Sequence, residues 1–147
     1  MAFASARASR EYDSIQNCME SIPLILAGSL LLLGTAIHGI AGEALVVRAL
    51  SPAMLPSTRL GGPRMTEAMI RASWHLTTVA FLSVGLGLLL AGSVLDGDTA
   101  RGVGLLAAAA ATGFAAVTVA LAGRSFFRHP APALLTAAAA LAWWGLL

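Results

Sequence analysis

Residues 24–43 read "LILAGSLLLLGTAIHGIAGE", and the fold class turns on how that stretch is read. No Asp, Glu, Lys or Arg occurs from residue 21 to residue 42. A helix rises about 1.5 Å per residue, so about 20 apolar residues cross the roughly 30 Å of a bilayer's hydrocarbon. Three further runs, residues 72–95, 102–123 and 130–147, are equally free of those four residue types. The whole chain agrees: 58% of its 147 residues are hydrophobic, only 11% are charged, and the mean hydropathy is +0.82. An ordinary soluble domain is about a quarter charged.

These runs predict an all-α membrane protein, a four-transmembrane-helix bundle running up-down-up-down. The expected spans are about 22–47, 66–93, 102–123 and 130–147, in one integral membrane domain preceded by a polar segment, residues 1–21. The longest polar tracts, 1–21 and 48–71, leave no room for a soluble catalytic domain. Arg7 and Arg10 precede the first apolar run as in a targeting peptide, but Glu11, Asp13 and Glu20 intervene, so the segment reads as a retained interfacial helix or tail. Cys18 is the one cysteine, which excludes an intrachain disulfide.

All nine basic residues are arginine. The pI near 9.5 does not point to nucleic acid, because the arginines sit beside membrane spans, where they orient the chain. Arg48, Arg59, Arg64, Arg71, Arg124 and Arg128, six residues, fall on the face carrying the loops between spans 1–2 and 3–4; Arg7, Arg10 and Arg101, three residues, fall on the other. The positive-inside rule then puts the loops in the cytoplasm and both termini outside the cell membrane.

Polar residues inside apolar spans are the candidates for function. His38 lies late in span 1, His75 early in span 2, and His129 opens span 4, so all three tend toward the loop face. Gly34, His38 and Gly42 repeat at i,i+4 and predict an inward imidazole between two glycines. Glu43 follows His38 by five residues, about 140° around an α-helix, and is expected nearer the surface, paired with Arg48 or a loop arginine. On span 2, His75 shares a face with Arg71, Thr78 and Leu82, with Trp74 beside it, while Glu67 and Arg71 stand at i,i+4 as a surface pair. In span 3, Ala109, Gly113 and Ala120 are small enough for close helix approach, and Trp143 and Trp144 suit an aromatic belt.

Three readings of the histidines stand side by side. They are polar contacts that lock helices together. Alternatively His38 and His75 bracket a haem, or hold a divalent metal together with His129. The third is proton-coupled transport of a small solute by an oligomer, with Glu43 as the exchanging carboxylate. An enzyme is not expected: Ser73 lies near His75 without a companion Asp, no Gly-x-Ser-x-Gly occurs, and "GGPR" at 61–64 lacks the Lys and hydroxyl of a phosphate loop.

Taken together, "IHGIAGEALVVRAL" (37–50), "RASWHLTTVAFLSVG" (71–85) and "RHPAPALL" (128–135) resemble a set of small, uncharacterised bacterial four-span membrane proteins. Those carry His then Gly-Glu late in helix 1, Trp-His early in helix 2 and His-Pro at helix 4. The resemblance covers about three of the four spans and implies that His38, Glu43, Trp74, His75, His129 and Pro130 are the positions to test. It supplies neither substrate nor cofactor. Small four-helix drug exporters are similar in size, but their glutamate early in helix 1 has no counterpart here. The expected function is that of an accessory or binding subunit, with the lipid bilayer, other membrane subunits or further copies of the chain as partners.

Overall fold

A charge-free run long enough to span a bilayer must satisfy its own backbone, and a helix does so within one segment. The computed structural model describes residues 21–59, 61–123 and 130–147, and among these it is all-helical, with no strand. Helix α1 is Ser21–Val47, α2 is Pro63–Ser93, α3 is Gly97–Ala122 and α4 is Pro130–Trp144. A 3-10 turn, Pro52–Met54, lies between α1 and α2. The N-terminal residues 1–20, His129, and the loop arginines Arg124 and Arg128 lie outside the described residues.

Three helices, α1, α2 and α3, are long and apolar enough to cross a membrane. Among the described residues α4 has 15 residues, about 22 Å of helix, and it ends at Trp144 rather than at the expected Leu147. Apolar composition continues to Leu147, but the helix gives way to a turn after Trp144.

Two starts also move. Gly62 is extended (φ −78, ψ −178) and Pro63 takes the first helical position, so α2 begins three residues before the expected Thr66. The presumed linker 96–102 is largely helix: Asp96 is the extended N-cap residue, Asp98 sits favourably in the first turn, and Arg101 rides on α3. At the far end α3 stops at Gly123, whose φ of +47 a side chain would resist.

Small residues set how closely α1 and α2 approach. A Cβ built on Gly28 would meet Gly85 and Leu89; on Gly92, Leu24; on Gly39, Thr78; and on Gly42, Trp74. Partner numbers fall along α2 as they rise along α1, so the two helices lie side by side in opposite directions. Between α2 and α3, Gly87 faces Val103 and Ala107, and Phe81 meets Phe114 edge-on with centroids 4.7 Å apart. The Trp143 indole of α4 donates to the Thr112 hydroxyl of α3 at 3.0 Å.

The packed face of α3 is Gly104, Ala107, Ala108, Ala111 and Ala115. The expected trio Ala109, Gly113 and Ala120 is instead exposed, and a Cβ at Gly113 would meet nothing within 4 Å. The reason is compositional: with alanine at every position from 107 to 111, no apolar periodicity marks the inner face.

Leucines cover the outside. Leu76, Leu106 and Leu121 are 69%, 77% and 82% exposed, and only 22–28% of each spanning window is buried. Such a surface is suited to lipid, which is as apolar as leucine itself. Hydroxyls within the helices are satisfied locally: Thr35 donates to the Leu31 carbonyl and Thr136 to that of Pro132.

Candidate binding site at the α1/α2 seam

From Ile37 to Val47, eleven residues, α1 changes from α to π geometry. In a π-helix each N–H bonds the carbonyl five residues back, so residues five apart become neighbours. The Arg48 N–H donates to the Glu43 carbonyl at 3.0 Å in this register. His38, Glu43 and Arg48 are spaced by five and thus fall into one row. This overturns the 140° separation of His38 and Glu43 expected from α geometry, because both side chains meet α2. Of the expected groove of Gly34, His38 and Gly42, His38 and Gly42 both lie against Trp74 of α2, while Gly34 faces Leu134 of α4.

The facing side of α2 offers Arg71, Trp74, His75, Thr78 and Phe81, spaced at i, i+3, i+4, i+7 and i+10 on one helical face. His38 is half-buried among them. Its ring stacks on Trp74 with centroids 4.1 Å apart and planes 11° from parallel, and meets Phe81 edge-on at 5.5 Å. Trp74 donates its indole N–H to the His38 carbonyl at 3.2 Å. The His38 Nδ1 lies 3.0 Å from Thr78 Oγ1, whose own proton goes to the Trp74 carbonyl at 3.0 Å. With that one hydroxyl proton committed, Nδ1–H is the donor to Thr78 and Nε2 is left with its lone pair.

One turn further on, Glu43 is the centre of a charged cluster. Its Oε1 lies 3.7 Å from Arg48 Nε and 3.9 Å from Arg71 Nη1, and its Oε2 lies 3.8 Å from His75 Nε2. Arg71 also makes the expected pair with Glu67, at 3.0 Å. All three contacts to Glu43 exceed hydrogen-bond length, and Oε2 is buried with no hydrogen-bond partner. The expected pairing of Glu43 with Arg48 is present, and Arg71 of α2 joins it.

The two described histidines therefore serve different partners: His38 is held by Trp74 and Thr78, and His75, with 59% of its side chain exposed, faces Glu43. Among the described residues no three of His, Cys, Asp and Glu come together to hold a metal ion. Sequence reasoning passed over Gly39, which lets Thr78 approach, and Phe81. Gly39 and Gly42, three residues apart on α1, are the holes that Thr78 and Trp74, four apart on α2, fill.

Comparison of the chain with protein-family models, with curated proteins and with solved structures finds no match.

The split between the histidines has a measurable consequence. His38→Ala removes a ring stack and a hydrogen bond and should cost about 1 to 3 kcal/mol of unfolding free energy in detergent micelles. His75→Ala removes one long, solvent-screened contact and should cost less than about 1 kcal/mol. Equal losses from the two variants would contradict this division.

Proposed function

We propose that this chain is a small multi-pass protein of the bacterial cytoplasmic membrane that binds rather than catalyses, as an accessory or binding subunit of a membrane assembly. Its four helices run up-down-up-down, with the loop between α1 and α2 in the cytoplasm and both termini outside. The observation that carries the reading is the eleven-residue π segment, which gathers His38, Glu43 and Arg48 against Arg71, Trp74, His75 and Thr78 of α2. π turns inside α-helices concentrate at functional sites, and intramembrane polar groups mark them as well. The family resemblance of the histidine and glutamate motifs points to the same positions.

A second reading, proton-coupled transport of a small solute by an oligomer, is favoured by one feature. Glu43 Oε2 is buried without a hydrogen bond, so the carboxylate is not locked by its neighbours. Haem or divalent-metal binding would use the open Nε2 of His38, with His75 or His129 as further ligands.

Spectra and flux separate these readings. The protein purified in its native lipid should be colourless and free of stoichiometric metal, and should retain its assembly partner unless Glu43→Gln or His38→Ala breaks the seam. A Soret band or bound metal lost in His38→Ala would replace the first reading with the ligand-carrying one. Proton-driven uptake in liposomes, abolished by Glu43→Gln, would replace it with transport. For the orientation, a reporter fused at residue 57 should give a cytoplasmic signal and one at the C-terminus an external signal. The reverse pair would invert the assignment.

A further inference from the structure

A two-turn π segment is an unusual thing for a helix to sustain, because π geometry ordinarily occurs as single turns inserted into α-helices. Among the described residues, the hydrogen bonds, ring contacts and ion pairs that reach across to Ile37–Val47 come from α2: the Trp74 indole on the His38 carbonyl, Thr78 on the His38 ring, and Arg71 and His75 beside Glu43. Against them stands the buried Glu43 Oε2, which has no hydrogen bond, while Arg48, Arg71 and His75 around that carboxylate are 3.7 to 3.9 Å away. An unfavoured helical register, an orphaned carboxylate oxygen and polar support from α2 together describe a segment with a competing arrangement close by. That competitor is the α register of the first half of the same helix.

We propose that residues 37–47 are a two-state element, π in this structure and α in the other state, and that the change swings Glu43 out of the α1/α2 seam. The size of the swing follows from helix geometry. With His38 kept on Trp74 and Thr78, five residues of α-helix place Glu43 about 140° from His38's row. The carboxylate then leaves Arg71 and His75 for the flank that now carries Ile40, which is 75% exposed. Leaving the seam frees Oε2 to find water or headgroup partners, and Arg71 keeps Glu67 at 3.0 Å. The α1/α2 seam thereby has a closed form, with Glu43 held beside Arg48, Arg71 and His75, and an open form in which the carboxylate is presented outward. The inference rests on the reading that this seam is the working part of the molecule, and it adds how access to Glu43 is governed.

Two variants separate the states by design. Deleting Ala41 brings His38 and Glu43 from i,i+5 to i,i+4, so an ordinary α-helix turns both toward α2 and the reason for the π register disappears. Glu43→Gln does the opposite: it removes the charge that Arg48 and Arg71 attract, and so releases the π state. The probe is a pair of nitroxides on cysteines replacing Leu45 and Leu76, both exposed, in full-length Cys18→Ser protein in lipid nanodiscs. Position 45 follows the turn of the segment, and position 76 lies outside it. Pulsed electron-electron resonance should show a second distance in Glu43→Gln, raised at least about tenfold in population over wild type, a shift well within what a charge pair can impose. The Ala41 deletion should show one distance. His75→Ala, which leaves Arg48 and Arg71 in place, should show the second distance at an intermediate level and covers the case in which Glu43→Gln does not fold. One identical distance in wild type, Glu43→Gln and His75→Ala overturns the proposal. That result is distinguishable from failure of the functional reading, which is signalled by unchanged partner retention or uptake in seam variants whatever the distances.

Discussion

Trp74→Ala is expected to lower the unfolding free energy by about 3 to 5 kcal/mol, the range for truncating a large aromatic in a packed site. Three separate contacts are lost at once. The indole stacks on His38 at 4.1 Å, donates its N–H to the His38 carbonyl at 3.2 Å, and fills the space left by Gly42, where any Cβ would collide with the ring. The His38 ring then loses one face of its enclosure and keeps Thr78 and Phe81 alone. Trp74→Phe is the informative control, because it retains most of the stacking area and gives up only the N–H donor, for about 0.5 to 1.5 kcal/mol. The measurement is unfolding in mixed micelles followed by helical circular dichroism, in a background where Trp143 and Trp144 are unchanged. If both variants lose under about 1 kcal/mol, Trp74 is a lipid-facing belt residue and the seam is not what holds α1 to α2.

How much of this was open to reading differs from residue to residue. Span 1 could be placed because residues 21–42 carry no charge, and α1 indeed covers Ser21–Val47. The Glu67–Arg71 pair could be read because i,i+4 is a property of any α-helix. The alliance of His38 with α2 was half legible: its polarity demands an inward position, but its stacking partner depends on where α1 sits against Trp74.

The π register was not legible at all. Helix propensities reward single residues and i,i+4 neighbours and contain nothing that selects i+5 spacing, while the side chains in that register meet α2. One wrong assumption about turn angle therefore separated Glu43 from His38. The inner face of α3 was hidden for a different reason, since five consecutive alanines carry no direction. The end of α4 was hidden because composition stays apolar to Leu147 while the helix ends at Trp144.

Gly28→Val is expected to separate α1 from α2 along most of their length. A single methyl at residue 28 would lie 2.8 Å from the Gly85 carbonyl oxygen, 2.8 Å from Leu89 Cγ and 2.9 Å from the Leu89 amide nitrogen. Two of those three atoms are backbone, so no rotamer change relieves the contact. Gly28→Ala alone should cost about 1 to 3 kcal/mol by overpacking, and valine, with two further methyls against the same backbone, should exceed that range. Gly34→Ala is the control on the same helix, because its new methyl would meet only the end of the Leu134 side chain at 3.3 Å, which can move aside. The effect should also reach the polar seam. Gly28 is ten residues from His38 on a stiff helix, so a tilt that opens the 28/85 contact lengthens the reach from Thr78 to the His38 ring and from Arg71 and His75 to Glu43. The expected outcome is a coupled loss: lower unfolding free energy together with a shift in Trp74 emission, which reports its stack on His38. A Gly28→Val protein as stable as Gly34→Ala, with unchanged emission, would mean that α1 and α2 do not pack through their glycines and that the seam forms without that close approach.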